Sequence, residues 1–289
     1  VQYSEAARLI RIELFEKGMM LALFLLISSF TAIWMAFTKR ISTTVLGIII
    51  ITLLVVDLYI VNNDFMNLAR KKDIGKQFQS NNITEFLLKD RADFRIFPAD
   101  NFSSNWYGYF GLSSIGGYRP VKLRNYQDLM DANGFSNPQV LNMLNVKYVL
   151  TQKKINNPDF TLVSNFKGIY ENLNVLPKAW IIGEIKNVST QKESLMETLS
   201  KDFDPSKSAI IFDYQGDPIA ENATGDVVIN SKNENEIHLI SKSKTGGILV
   251  LSEIYYKPGW SAFINGKEVP IYQTNHILRS INIPIGESN

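Results

Sequence analysis

The chain has 289 residues and carries 30 Lys and Arg against 28 Asp and Glu, a formal net charge of +2. So even a balance gives no electrostatic basis for binding nucleic acid. Without cysteine there are no disulfides, thiolate metal sites or Cys nucleophile, and two histidines do not make a histidine-rich centre, so no metal and no cofactor is expected.

Residues 1–17 interleave apolar positions (Leu9, Ile10, Ile12, Leu14, Phe15) with Glu5, Arg8, Arg11, Glu13, Glu16 and Lys17. This pattern suits an interfacial helix leading into a membrane span, or the end of a truncated helix. Gly18 to Thr38 then holds no charged residue. At 1.5 Å per residue, roughly 20 apolar residues cross a hydrocarbon core of about 30 Å, so 18–38 reads as a transmembrane helix. After the polar turn Lys39-Arg40-Ile41-Ser42, a second apolar run, 43–61, has Asp57 as its one charge. Backbone groups in lipid must be satisfied within the segment, so 18–63 is predicted to be a two-helix transmembrane hairpin whose partner is the lipid bilayer. Asp57 is a candidate intramembrane acid, although its place near the end of the second run also fits an acid at the interface.

A linker is expected at 64–74, containing Arg70-Lys71-Lys72, before the polar remainder of the chain. Across 75–217 helix and strand signals alternate, which predicts a soluble α/β (α+β) domain. Asn82 to Asp90 has the spacing of a capped short helix, Phe94 to Phe97 reads as a strand, and 121–132 reads as an amphipathic helix. Asn137-Pro138 opens another helix, with Asn as cap and Pro in the first position. Strands are expected at 146–150, 169–172, 179–185 and 209–212, with Thr190 and Glu193 spaced as a capping box between the last two. The pair Gly116-Gly117 precedes a helix but matches no phosphate-loop spacing, and a tight turn accounts for it.

From 218 to 289 only strand signals remain, predicting an all-β, sandwich-like domain truncated at its C-terminus. Asn265-Gly266 between two strand-like runs calls for a two-residue hairpin with positive φ at both positions. The aromatics Tyr255, Tyr256 and Trp260, with Trp106, Tyr107 and Tyr109, suit either stacking on sugar rings or packing at a sandwich corner.

Several stretches resemble bacterial YfhO-type membrane proteins. These are Ser252-Glu253-Ile254-Tyr255-Tyr256-Lys257-Pro258-Gly259-Trp260 with Asn265-Gly266-Lys267-Glu268-Val269-Pro270, Ser114-Ile115-Gly116-Gly117-Tyr118-Arg119-Pro120 with Lys122 and Tyr126, Leu144-Asn145-Val146-Lys147-Tyr148, and Tyr170-Glu171-Asn172 with Leu176-Pro177-Lys178-Ala179-Trp180. Asp57-Leu58 also fits. The chain departs from the pattern at Lys257, inserted before Pro-Gly, and at Asn265, where Asp is frequent.

The resemblance implies the C-terminal part of a multi-pass protein of the bacterial cytoplasmic (inner) membrane, built like GT-C glycosyltransferases. Such an enzyme moves a sugar from a polyprenyl-phosphate donor to an envelope glycopolymer or lipid. The alternative is a non-catalytic envelope protein that binds or helps export a polysaccharide or lipid. On the enzyme reading the catalytic loop lies outside this sequence, and the resemblance also implies a further transmembrane helix just past Asn289. Candidate carbohydrate or structural contacts are Tyr118, Lys122, Tyr126, Tyr255, Tyr256 and Trp260. Positive charges outside the two spans would place the soluble region in the cytoplasm, whereas the resemblance implies an extracytoplasmic one.

Overall fold

The computed structural model describes residues 5–66, 75–76, 78–220 and 222–289, so most of the expected linker, with Arg70, Lys71 and Lys72, lies outside the described residues. The chain divides into two compact units, Val1–Gln77 and Phe78–Asn289.

In the first unit, α1 (Glu5–Phe37) is one 33-residue helix and α2 (Thr43–Phe65) has 23 residues. The expected separate segment 1–17 is, over its described part, the opening turns of α1, because no proline interrupts the run and Gly18 alone does not stop a long helix. Ser42 caps α2 by accepting a hydrogen bond from Val45 N at 3.3 Å. The turn between the helices brings α2 back along α1. Both helices are long and apolar enough to cross a membrane. They leave large apolar side chains uncovered, with Phe30 70 % and Ile51 63 % exposed. The hydroxyls of Thr31 and Thr52 fold back onto the carbonyls of Ile27 and Ile48, so these polar groups are satisfied within their own helix.

The second unit begins with α3 (Asn82–Lys89). Its N-cap is Asn81, one residue before the start of the expected capped stretch, and Thr84 completes a capping box with it. Strands β1 (Arg95–Pro98), β2 (Val146–Leu150), β3 (Phe160–Leu162) and β4 (Ile169–Asn172) form a mixed sheet in the order β1-β2-β4-β3. Between β1 and β2 lie the one-turn helix α4 (Trp106–Tyr109), α5 (Arg124–Asp131) and α6 (Pro138–Met143). Helix α5 starts three residues later than the sequence suggests: Leu123, its N-cap residue, is extended and makes no side-chain cap. The stretch before it therefore stays a loop. Asn137 caps α6 with Pro138 in the first turn, as its sequence requires.

A six-stranded sheet takes β5 (Ala179–Ile182), β6 (Glu184–Val188), β7 (Ser208–Phe212), β10 (Gly247–Ile254), β13 (Tyr272–Thr274) and β14 (Leu278–Ile283) in the order β5-β10-β14-β13-β7-β6. The expected single strand 179–185 is thus two, split at Gly183, where a Cβ would meet Ala223 N at 2.1 Å. Helix α7 (Gln191–Thr198) links β6 to β7 and opens on the reciprocal Thr190–Glu193 box. The expected boundary between 217 and 218 is crossed by backbone pairing: β10 lies between β5 and β14, and β13 meets β7. Apolar strands of one segment find their ladder partners in the other, so both belong to one unit.

Strands β8 (Gly225–Lys232), β9 (Ile237–Ser243) and β15 (Gly286–Ser288) form an antiparallel layer, and β11 (Ala262–Ile264) and β12 (Lys267–Val269) form a hairpin. That hairpin turns through Asn265 and Gly266 at φ 50° and 83°, the positive pair their sequence calls for. No α-helix interrupts 247–283. The main core gathers Leu129, Val140, Met143, Ile211, Ile248 and Leu278, each completely buried. Burying a side chain of this kind contributes about 1.5–3 kcal/mol. A second cluster packs Leu87 of α3 against Ile96, Tyr148 and Ile169 on the four-stranded sheet.

Candidate functional site

Where the sheets of the second unit meet, four strands deliver charge to one place. Alternation along β10 sends Ile248 and Val250 to the main core and Leu249 and Leu251 to a satellite core. Regular pairing with β14 then shifts between Leu251 and Ile254, which frees Ser252 and Glu253 from the ladder's register. Arg95 of β1 places NH2 3.0 Å from Glu253 Oε2, Lys178 just before β5 places Nζ 3.1 Å from Oε1, and Lys232 at the end of β8 lies 3.4 Å from Oε1. Lys232 also reaches Asp93 at 3.3 Å.

The backbone and hydroxyl groups beneath hold this cluster in register. Arg95 NH1 donates to Ser252 Oγ and to Leu144 O, each at 3.0 Å, and Ser252 Oγ donates to Met143 O at 2.8 Å. Arg279 NH2 donates to Ile254 O at 2.9 Å while its guanidinium lies 4.3 Å from the centre of the Trp260 ring. Removing a charge from water costs several kcal/mol per ion, so a nearly buried Lys178, 6 % exposed, requires compensation. Burial, with Arg95 beside it, pushes the Lys178 ammonium down to about 8 despite the opposing pull of Glu253. Burial pushes Glu253 up, but Arg95, Lys178 and Lys232 outweigh it and hold the carboxyl below its ordinary range. A carboxylate so held is a poor proton donor; its chemistry is that of a fixed counter-charge.

Above the cluster opens a cavity of about 830 Å³, walled by Arg95, Arg119, Lys178 and Lys232 against the acids Glu234 and Glu253. A smaller cavity of about 270 Å³ shares Arg95, Arg119 and Glu253 with it and adds Lys122. Cations thus outnumber carboxylates around the opening, the arrangement that attracts an anion. The Gly116-Gly117 turn shapes one wall: a Cβ on Gly116 would lie 2.2 Å from Phe102 O, and Gly117 has φ 122°. The glycines let the chain pass close to Phe102 and present Arg119 to the opening. Tyr118 is 69 % exposed on the same wall, and Asn105 grips its backbone at both N and O.

Of the residues singled out in the sequence, Tyr118 and Trp260 line the larger cavity and Lys122 and Tyr126 the smaller. Tyr126 is half-buried, donates its hydroxyl to Ile115 O, and has its phenol pushed up by burial. Tyr255 and Tyr256 line neither cavity: the backbone of Tyr255 pairs with Ile277, and the Tyr256 ring covers Gly259 in the Lys257-Pro258-Gly259 turn. Trp106 packs edge-on against Tyr107 and Phe110, and Tyr109 lies tilted by 32° against Phe78. Asp57 sits half-buried on α2, in the first unit. Among the described residues no group of three His, Asp or Glu is placed to hold a metal ion.

Arg95, Lys178, Lys232 and Glu253, which build the pocket, and Arg279, which braces Trp260 beside it, were not singled out by sequence reasoning as site residues. Lys178 and Glu253 do lie within motif stretches, and a charged residue inside an apolar strand, as in Leu249-Val250-Leu251-Ser252-Glu253-Ile254, was the available signal. No family model, curated protein or solved structure matches this chain.

Proposed function

We propose that this chain is the membrane-tethered C-terminal part of a YfhO-type envelope protein, and that its pocket holds an anionic segment of an envelope glycopolymer. The observation that carries the reading is the convergence of Arg95, Arg119, Lys178 and Lys232 on an opening with two carboxylates. Three of the four stretches that carry the resemblance contribute to that one opening: Ser114 to Arg119, Lys178, and Glu253 with Trp260. Phosphodiester or carboxylate groups spaced along a polymer suit several cations set along a cleft. Trp260 and Tyr118 offer flat apolar faces beside them.

The reading makes α1 and α2 a transmembrane hairpin, supported by the length and uncovered apolar surface of both helices. It places the second unit outside the cytoplasm and gives the pocket the work of holding an acceptor, with sugar transfer from a polyprenyl-phosphate donor performed elsewhere in a GT-C-like protein. Glu253, fixed by three cations, is suited to positioning and not to proton transfer.

The test is equilibrium binding of the detergent-purified chain to a phosphodiester-linked polyol polymer and to a neutral glucan of similar length. The anionic polymer should bind, should weaken about tenfold or more between low and high salt, and should be lost in Lys232→Glu. Equal binding of the neutral glucan, or affinity for the anionic polymer unchanged by salt and by Lys232→Glu, would defeat the proposal.

A further inference from the structure

The cationic opening shares Trp260 and Ile237 with another cavity, of about 500 Å³, which runs between the β8-β9-β15 layer and strands β10 and β14. Its walls are mostly apolar, formed among others by Leu239, Leu249, Leu251, Phe263, Ile264 and Ile281, with Glu236 and His238 at its exposed edge. Protein interiors close-pack and leave few voids larger than a water molecule. Here, among the described residues, the apolar cluster between the two sheets has Ala179, Leu249, Leu251 and Ile283 as its buried members, while Ile237, Leu239, Ile264 and Ile281 remain half-buried around the space. A cavity of this size with apolar walls and a few polar groups has the form of a small-molecule site.

Two of its polar groups point to what the ligand carries. Arg279 and Ser288 line the cavity at 8 % and 5 % exposure, and neither Arg279 Nε nor Ser288 Oγ has a hydrogen-bond partner. A buried donor left unpaired is costly, and a ligand acceptor brought beside Arg279 would satisfy it. Arg279 lies against Trp260, one of the two residues common to the apolar cavity and the cationic opening. The two halves together suit one molecule with an apolar chain and an anionic head.

We propose that this cavity takes the acyl chain of a single-chain membrane phospholipid, with the phosphate at Arg279 on the Trp260 side. Charge complementarity selects the head, apolar burial the chain. The proposal rests on the membrane tether advanced above, which keeps phospholipid at high effective concentration, and not on polymer binding.

The experiment uses the full chain in nanodiscs, irradiated with a lysophosphatidic acid carrying a diazirine near the end of its acyl chain, with adducts mapped by mass spectrometry. Adducts should appear on Leu239, Leu251, Ile264 or Ile281. Unlabelled lysophosphatidic acid, and the exposed-rim variant Phe263→Glu, should each reduce them about tenfold. A monoacylglycerol probe with the same chain should label these positions about tenfold less. Adducts confined to residues 5–65, or equal labelling by the neutral probe, overturn the proposal. Polymer binding is scored in a separate assay, so either reading can fail while the other stands.

Discussion

Arg95 on the first strand of the β-rich unit holds Glu253 on β10 with a 3.0 Å ion pair, while its other terminal nitrogen holds the neighbouring Ser252. The contact ties the four-stranded sheet to the six-stranded sheet at the floor of the pocket. It also leaves Lys178 and Lys232 sharing the second carboxylate oxygen.

Glu253→Gln should therefore destabilise the unit severely. The substitution leaves Arg95 and Lys178 as buried cations without their counter-charge, and breaking a buried pair from one side costs about 3–5 kcal/mol. Lys178→Met in the same background should recover part of the loss, because it removes one of the stranded cations. Chemical denaturation of the three proteins checks this. A single-variant loss below about 1 kcal/mol would show that solvent already screens the cluster.

Anion binding should weaken as pH rises through the Lys178 value of about 8. Above it the pocket loses one positive charge, so affinity for an anionic polymer should fall between pH 7 and 9 in the native chain and stay flatter in Lys178→Met. Stability has the opposite sign. The unfolded ammonium ordinarily titrates near 10.5, so between about 8 and that value the unfolded chain binds more protons and the Lys178 contribution to stability rises with pH. Binding and melting curves recorded over the same buffers separate the two effects.

His276 should make the fold acid-sensitive. It is fully buried in the turn between β13 and β14. Burial lowers its pKa from the usual 6.5, with Asp128 and Asn125 pulling the other way. Its contribution to stability is therefore fully present above 6.5 and is lost as pH falls through the lower folded value. Its backbone is left-handed at φ 65°, which Asn also tolerates, so His276→Asn is the informative variant. Melting temperature should drop less between pH 7 and 5 in the variant than in the native chain. Parallel curves would remove His276 from the account.

Sidedness is open to a direct measurement. In the intact protein, a reporter active only outside the cytoplasm and fused after Gly225 should be active. Activity of a cytoplasmic reporter at that site instead would mean that Arg8, Arg11 and Lys17 on one flank and the cations after α2 on the other set the orientation.

Features settled within a few residues could be read from the sequence alone. The Thr190–Glu193 box, the Asn137-Pro138 helix start, the Asn265-Gly266 hairpin and the two long apolar runs all depend on neighbours in the chain, and they occur where their residues require. Tyr118, Lys122, Tyr126 and Trp260 are singled out through the family resemblance, and nothing local separates them from Tyr255 and Tyr256, which line neither cavity of the site. The pocket itself depends on strand order. Arg95, Lys178, Lys232 and Glu253 lie on or beside four different strands, and they meet only because β10 pairs with β5 across the expected domain boundary while β1 and β8 bring their charges to the same end. An apolar strand carries no mark of which distant strand it will pair with, since hydrophobic burial is non-directional and many pairings would satisfy it. Tertiary packing chose among them, and in doing so it set three cations around one carboxylate.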